Sequence, residues 1–191
     1  MVQNILLCGV GGQGIILASK ILSAGLIDAG FDVKMSEVHG MAQRGGSVTT
    51  QVRYGEEVFS PIIGEGQADV LVSFESMETA KWIQFLKKGG KVLINDFQIP
   101  SAPILSGAAG YPTGVIDDIR SKADTTVFKA EELAVELGNI KTMNIIILGA
   151  LVKAMKLADK ADWERLIKEQ VKPKFHEVNI RAFQKGLSLV S

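Results

Sequence analysis

A glycine-rich turn between an apolar strand and a helix is the feature that most constrains the fold of this chain. The residues "NILLCGV" are short, apolar and bounded by glycine, which predicts a strand buried on both faces. Apolar residues then recur at helical spacing from Ile15 to Leu26, and Gly30 stands just past the expected helix end. A strand, a tight turn and a helix in this order predict a Rossmann-like start to an α/β fold.

The rest of the chain also alternates strands with helices. Five further segments rich in apolar or β-branched residues predict strands: "FDVKMSE", "SVTTQVRYG", "ADVLVSFE", "KVLIND" and "TTVFKA". We expect "EEVFSP" to pair with "SVTTQVRYG" as a hairpin across "YGEE". Helices are predicted in "SMETAKWIQFLKKGG", with its end at Lys-Lys-Gly-Gly, and at about Glu131–Leu137, Thr142–Leu157, Ala161–Gln170 and Phe175–Leu187.

These patterns favour a three-layer α/β/α fold with a helical C-terminal part. The sheet is expected to be mainly parallel, and mixed because of the hairpin. No repeat, low-complexity tract or linker separates a second domain, so we expect a single domain over residues 1–191. Glycine in a helix interior costs about 1 kcal/mol relative to alanine, so Gly149 predicts that its helix packs closely on the sheet.

The composition excludes several classes of protein. The net charge is zero, with 21 basic and 21 acidic side chains, so we expect no general attraction to nucleic acid. The longest apolar run, "MNIIILGALV", is about half of a membrane span, so we expect no membrane association either. The single cysteine, Cys8, cannot hold an iron–sulfur cluster by itself, because such clusters take about four thiolates. One cysteine without a disulfide partner fits a cytoplasmic protein in which Cys8 is a buried, unreactive thiol.

The glycine turn is the first candidate site. Gly9, Gly11 and Gly14 fit the pattern G-x-G-x-x-G, and Gly12 and Gln13 complete the turn. Such a turn lets a phosphate approach the backbone at the positive end of a helix, so these five residues are candidates for binding a phosphate or another ligand. The alternative is a turn that only lets the strand and the helix pack closely.

A second motif follows the second predicted strand, in "SEVHGMAQRGGSVTT". A Rossmann half should continue into a crossover helix there, but this stretch intervenes. Its candidate residues for an interface or for the rim of an active site are His39, Gln43, Arg44, Gly45 and Gly46. A glycine pair beside an arginine offers exposed amides and a guanidinium to an anion or to a partner protein. His39 is a weak candidate for a general base, because no nucleophile or set of metal ligands accompanies it, and we assign no catalytic residue.

Together the two motifs resemble the gamma subunits, or gamma domains, of 2-oxoacid:ferredoxin oxidoreductases. The pattern from His39 to Arg44 is most similar to the beta subunit of indolepyruvate:ferredoxin oxidoreductases, and the resemblance extends to "ADVLVSFE", "KVLIND" and "NIIILGAL". It implies a subunit of an enzyme that oxidatively decarboxylates a 2-oxoacid to an acyl-CoA and passes the electrons to ferredoxin.

The resemblance also implies where the cofactors lie. Thiamine diphosphate, magnesium and iron–sulfur clusters are expected on companion subunits, with CoA as a co-substrate of the complex and no cofactor on this chain alone. One cysteine and the lack of a G-D-G…N thiamine pattern agree with that division. The chain is then expected to be inactive alone.

Two other interpretations remain open from the residues. One is a free-standing NAD(P)-binding oxidoreductase, in which Gly9, Gly11 and Gly14 hold the cofactor and Glu37 binds its ribose. The other is a small regulatory module that binds a nucleotide without catalysis. The resemblance does not settle which 2-oxoacid is the substrate, since pyruvate, 2-ketoisovalerate and 2-oxoglutarate enzymes have similar gamma parts.

Overall fold

The fold is built around one six-stranded sheet with helices on both faces. The computed structural model describes residues 1–40 and 46–190, and only the backbone of His39. The strands are β1 (Gln3–Val10), β2 (Asp32–His39), β3 (Ser47–Gly55), β4 (Ala68–Ser73), β5 (Leu86–Asn95) and β6 (Asp124–Phe128). The helices are α1 (Ile15–Asp28), α2 (Ser76–Trp82), α3 (Ala102–Leu105), α4 (Val115–Arg120), α5 (Ala130–Glu136), α6 (Met143–Ala154), α7 (Trp163–Gln170) and α8 (His176–Leu187).

The strand order is β2-β3-β1-β4-β5-β6. Strands β1, β4, β5 and β6 pair in parallel, whereas β3 lies between β1 and β2 and is antiparallel to both. Five of the six strands therefore point the same way, which confirms the mixed, mainly parallel sheet. It also means that β1, β2 and β4 all end at one edge, which we call the carboxyl edge of the sheet.

Alternate side chains of each strand enter different cores. Ile5 and Leu7 of β1 face a large core with apolar residues of α1, α5, α6, α7 and α8. Leu6 and Cys8 face a smaller core, which includes Ile63 and, from α4, Ile119. This alternation explains why β1 is an unbroken apolar run in the sequence. None of the helices in the described ranges is long and apolar enough to cross a bilayer.

The predicted hairpin with "EEVFSP" is wrong, because both edges of β3 are already occupied by β1 and β2. Side chains fasten the segment after β3 instead. The N–H of Val58 donates to Asp32 Oδ2 at 2.8 Å, and Arg53 Nη1 donates to the carbonyl of Ser60 at 2.9 Å. The sheet is mixed because β3 is antiparallel to both of its neighbours, β1 and β2.

The predicted end of the second helix at Lys-Lys-Gly-Gly is also wrong. Helix α2 ends at Trp82, a 3₁₀ turn covers Ile83–Phe85, and Leu86 already pairs with Ala68 of β4. The next paired residues are Lys91 and Val70, so Lys87, Lys88 and both glycines form a bulge in β5. Gly89 has φ +76°, the left-handed conformation that glycine adopts at a bulge as readily as at a helix end.

Gly149 does have a close neighbour, but the neighbour is helix α8 rather than the sheet. A Cβ at Gly149 would lie 2.3 Å from the carbonyl oxygen of Phe183, and one at Gly186 would lie 2.1 Å from that of Ile146. The two glycines face each other, with a Cβ on Gly186 only 2.9 Å from the Cα of Gly149. Their missing side chains let the backbones of α6 and α8 touch.

Candidate functional site

The glycine turn lies where the chain leaves β1 at the carboxyl edge, and Gln13 organises it. The side chain of Gln13 is buried; its Oε1 accepts from the N–H of Val10 at 2.7 Å, and its Nε2 donates to the carbonyl of Phe74 at 2.8 Å. Helix α1 leaves β1 on one side and α2 leaves β4 on the other, so the turn sits at the switch point where α/β sheets commonly bind ligands. Gln13 bridges the two strand ends at that point.

Three glycines of the turn are required for different reasons. A Cβ on Gly9 would lie 2.7 Å from Gln13 Oε1 and 2.8 Å from the Cβ of Phe74. Gly14 precedes α1 with φ +79°, and a Cβ there would lie 2.6 Å from Asn144 Nδ2. Gly12 has φ +101° and nothing within 4 Å of its Cβ position, so only the backbone conformation demands glycine there.

The structure joins the glycine turn to the end of the second motif. The N–H of Gly11 donates to the carbonyl of Gly46 at 2.9 Å, and the N–H of Gly40 donates to the carbonyl of Ser47 at 2.8 Å. Gly40 and Ser47 therefore extend the pairing of β2 with β3 by one step at the carboxyl edge. Of the other motif candidates, Gln43, Arg44 and Gly45 and the side chain of His39 lie outside the described residues, and their roles stay predictions.

The register of the sheet separates Glu37 from the glycine turn. Glu37 pairs with Thr50 of β3, and Thr50 pairs with Leu7 of β1. Because neighbouring strands lie about 4.8 Å apart, Glu37 is about 10 Å from β1 and level with Leu7, well before the turn. In a dinucleotide site the ribose-binding acid ends the strand next to β1. Here β3 occupies that place, so the geometry disfavours Glu37 as a ribose ligand.

A cleft of about 630 Å³ opens beside the turn. It is lined by Gly11, Gly12, Gln13, Gly14, Leu17, Phe97, Ile99, Glu131, Ile140, Lys141, Met143 and Asn144. Asn144 Nδ2 donates to the carbonyl of Gly14 at 3.1 Å and ties α6 to the start of α1. The volume of the cleft is within the range of small-molecule sites. Phosphate binding by the turn remains a prediction, since the N–H groups of Val10 and Gly11 already have partners within the chain.

Two buried carboxylates next to the turn were missed by the sequence analysis. Glu75 is fully buried, caps α2 by accepting from the N–H of Glu78, and accepts from the Tyr111 hydroxyl and from the N–H of Ile99 at 3.2 Å. Glu78 is 1% exposed and accepts from the Ser47 hydroxyl, from Trp82 Nε1 at 3.3 Å and from Lys81 Nζ at 2.6 Å. An acidic residue ahead of a predicted helix is a local hint of a cap, but Tyr111 lies 36 residues from Glu75 and gives none.

These carboxylates hold the surrounding segments in place. Ser47 begins β3 directly after the second motif, and Tyr111 belongs to the irregular connection between β5 and α4. Burial and then the Glu75 carboxylate raise the pKa of Tyr111 above its ordinary range, so Tyr111 stays protonated and remains a donor. Glu75 and Glu78 thus fasten two segments of the carboxyl edge to α2.

Cys8 lies beneath this cluster and is fully buried. Burial raises its pKa to about 12, so the thiol is neutral and a poor nucleophile, as the sequence predicts. Within residues 1–40 and 46–190, no group of three or more His, Cys, Asp or Glu side chains is placed to hold a metal ion. The described part of the site offers hydrogen bonds and shape rather than a reactive group.

Comparison with known proteins identifies the family. The family model described as pyruvate ferredoxin/flavodoxin oxidoreductase matches residues 4–189. The indolepyruvate oxidoreductase subunit IorB of Thermococcus kodakarensis is 41% identical in an alignment of 191 positions, which covers 96% of this chain and 94% of that one. The 2-oxoglutarate synthase subunit KorC of Methanocaldococcus jannaschii is 29% identical, over 97% of this chain and 92% of that one.

Solved structures agree with the family. The gamma subunit of a keto/oxoacid ferredoxin oxidoreductase from Geobacter sulfurreducens has a TM-score of 0.73 and 26% identity, and the match covers 98% of this chain and 97% of that one. A 2-oxoglutarate:ferredoxin oxidoreductase from Magnetococcus marinus shares the fold with a TM-score of 0.76 at 20% identity, over 98% of this chain and 31% of that longer one. The resemblance found in the two motifs is confirmed. The chain belongs to the pyruvate ferredoxin/flavodoxin oxidoreductase family and is a small subunit of a 2-oxoacid:ferredoxin oxidoreductase.

Proposed function

We propose that this chain is the small subunit of an indolepyruvate:ferredoxin oxidoreductase. The observation that carries the proposal is the order of the sequence identities. Four indolepyruvate oxidoreductase subunits are 34–41% identical over at least 96% of this chain. The 2-oxoglutarate subunits are 28–30% identical, and a pyruvate/ketoisovalerate subunit is 25% identical. Residues 1–191 act as one gamma-type domain in this proposal, which the nearly full-length family match supports.

The cofactors belong to companion subunits in this proposal. Thiamine diphosphate with magnesium, and the iron–sulfur clusters, lie on those subunits; CoA is a co-substrate of the complex, and ferredoxin accepts the electrons. The reaction is the oxidative decarboxylation of indolepyruvate to an acyl-CoA. The single buried cysteine of this chain supports the division, because no cluster could be ligated by it. In this proposal the isolated chain is inactive. The chain acts within the complex, in the cytoplasm.

In this proposal the carboxyl edge is one part of the chain that serves the complex. The N–H of Gly11 is bonded to the carbonyl of Gly46, so the glycine turn supports the base of the second motif. We place the segment from His39 to Gly46 against the thiamine-bearing subunit, where Arg44 meets a carboxylate of the partner or an anionic group of substrate or CoA. The separation of Glu37 from the turn supports this role over an NAD(P) site.

The substrate is tested on the reconstituted complex. The chain is co-expressed with its companion subunit, and CoA-dependent reduction of ferredoxin is measured with indolepyruvate, pyruvate and 2-oxoglutarate in turn. We expect the highest kcat/KM with indolepyruvate and no turnover by the isolated, colourless chain. A preference for 2-oxoglutarate or pyruvate would contradict the substrate assignment, and iron–sulfur absorbance in the pure chain would contradict the division of cofactors.

The second motif is tested in the same complex. Arg44→Ala and His39→Ala should weaken assembly or turnover while the melting temperature of the isolated chain hardly changes. Removing one partner of a desolvated charge pair costs about 2–5 kcal/mol in association. Arg181 is exposed on α8, and Arg181→Ala is the matched control. Weaker association assigns the motif to docking, and intact assembly with slower turnover assigns it to the active-site rim. Variants that assemble and turn over like the parent would rule out both roles.

A further inference from the structure

A groove lies on the face of the sheet that carries the smaller core. It is far from the second motif along the chain. It runs between the end of α2 with the bulge of β5 on one side and α4 on the other, and has a volume of about 670 Å³. Its apolar lining includes Ile83, Leu86, Val115 and Ile119. Ile119 is buried, but the other three are only partly buried against the smaller core. The groove therefore offers apolar surface that the chain itself leaves incompletely covered.

The rim of the groove carries three lysines and one aspartate, Asp118. Lys87 and Lys88 belong to the bulge of β5, and Lys122 follows α4 on the opposite side. Lys87 pairs with Asp69, and Lys122 pairs with the exposed Asp118 at 2.6 Å. Lys88 is exposed and has no ion-pair partner among residues 1–40 and 46–190. An occupant must therefore bring apolar side chains for the floor and at least one carboxylate for the rim.

The bulge of β5 is a second indication that the groove is a functional surface. Leu86 and Lys91 of β5 pair with Ala68 and Val70 of β4. Between these two pairs β5 has more residues than β4, so the extra residues of β5 have no partner in the ladder. Inserting residues into a strand costs ladder hydrogen bonds and re-aims side chains, which is why bulges often mark functional surfaces. Here the bulge carries Lys87 and Lys88 to the mouth of the groove.

We propose that this groove, which we call the α2–α4 groove, docks a segment of a companion subunit that carries apolar side chains and a carboxylate. The apolar residues would cover Ile83, Leu86 and Val115, and a carboxylate would pair with Lys88. The proposal deepens the proposed function, because it assumes that the chain works beside companion subunits. The α2–α4 groove and the second motif are separate surfaces, so each can be tested without the other.

Hydrogen exchange on the assembled complex tests the location. Peptides covering 83–89 and 113–123 should exchange more slowly in the complex than in the isolated chain, because docking buries their amides. Equal exchange in the two states would overturn the proposal. Protection that appears in the isolated chain as its concentration rises, together with dimers in sedimentation, would assign the groove to a second copy and also overturn it.

Substitutions test the chemistry of the occupant. Lys88→Glu should weaken association with the companion subunit about ten-fold and reverse part of its salt dependence, as expected for a rim charge that faces an acidic partner. Val115→Asp should weaken it further by placing a carboxylate on the apolar floor. Lys160 is an exposed lysine beyond α6, and Lys160→Glu is the matched control. Melting temperatures of all three isolated variants establish that each chain is folded.

The outcomes separate this proposal from the proposed function. If Lys88→Glu and Lys160→Glu weaken association equally, or neither does, the groove does not dock an acidic segment. That result leaves the substrate assignment untouched, since kcat/KM with indolepyruvate is measured on the parent complex. Conversely, a complex that assembles through the groove but prefers another 2-oxoacid would overturn the substrate and retain the docking surface.

Discussion

The two faces of the sheet are covered in different ways. On one face, five helices bury a continuous apolar core, and α6 and α8 approach until their backbones touch at Gly149 and Gly186. On the other, the short helices α2 and α4 cover a smaller core and leave Trp82, Ile83 and Phe85 only partly buried. Charged hydrogen bonds to Glu75 and Glu78 help to hold this thinner layer.

The difference is in how much apolar packing and how many polar contacts hold each face. Apolar burial contributes about 25 cal/mol per Å² and needs no partner once the surface is covered. In the thick layer, formed by the five helices, most apolar residues are buried, although Ile27 of α1 and Val135 of α5 stay more than half exposed. The thin layer combines the buried carboxylates of Glu75 and Glu78 with partly buried apolar side chains. Four substitutions or measurements can break or sharpen this contrast.

The largest effect is expected at the contact between α6 and α8. Gly149→Leu places a side chain where even a Cβ would lie 2.3 Å from the carbonyl oxygen of Phe183. The helices must move apart, so we expect a loss of about 3 kcal/mol or more in the free energy of unfolding, measured by urea denaturation. Gly110 has nothing within 4 Å of its Cβ position, and Gly110→Ala is the control, expected to change little. An unchanged stability of Gly149→Leu would show that the two helices are loosely packed.

The next largest effect is expected from truncating an apolar side chain on each face of the sheet. Leu22 of α1 is fully buried in the thick layer, and Leu22→Ala should cost about 3 kcal/mol through lost burial and the cavity left behind. Val115 of α4 is partly buried, and Val115→Ala should cost less than about 1 kcal/mol in the isolated chain. Denaturation of both variants checks the contrast. Similar losses would mean that the two layers contribute alike.

Tyr111→Phe tests the polar fastening of the thin layer. The change removes the hydroxyl that donates to the buried Glu75 and accepts from the N–H of Met77 at 3.0 Å. A hydrogen bond to a buried charged group contributes about 2 kcal/mol, and we expect a loss of that size in unfolding free energy. Gln98→Ala, at an exposed position of the same connection, is the control. A loss no larger than the control's would show that Glu75 is satisfied without Tyr111.

The smallest effect concerns the thiol beneath the thin layer. Because burial raises the pKa of Cys8 to about 12, its reaction with a disulfide reagent at pH 8 should require local opening. If the thin layer opens by itself, Val115→Ala should speed labelling about three-fold, whereas Leu22→Ala should change it by less than about two-fold. Equal acceleration by both variants would show that Cys8 is exposed only by global unfolding.

The sequence predicts the fold where local pattern and tertiary role agree. β1 and α1 follow from an apolar run and a helical period on either side of the turn, and β3 covers the predicted segment "SVTTQVRYG" from end to end. It fails where one local pattern fits two structures. Lys-Lys-Gly-Gly suits a helix end and a strand bulge equally, and only the pairing of Leu86 with Ala68 decides between them.

In the candidate site, too, some features could be predicted from the sequence and others could not. The positive φ angles of Gly12 and Gly14 follow from the glycine pattern. The contact of Gly14 with Asn144 spans 130 residues, and that of Ser47 with Glu78 spans 31, so neither leaves a local pattern. The neighbour of Gly149 was expected, but its identity depends on how α8 returns to α6, which no local pattern encodes.

The reversed strand β3 has a consequence for the connection that follows β2. In a Rossmann half, the chain after the second strand must cross the sheet by a helix, and its length is fixed by the distance covered. Here the same point of the chain is a hairpin whose base is closed by the N–H of Gly40 and the carbonyl of Ser47. Doubling the length of a loop costs only about 0.6 kcal/mol. The sheet therefore constrains the length of the connection between Gly40 and Ser47 much less than it would constrain a crossover helix.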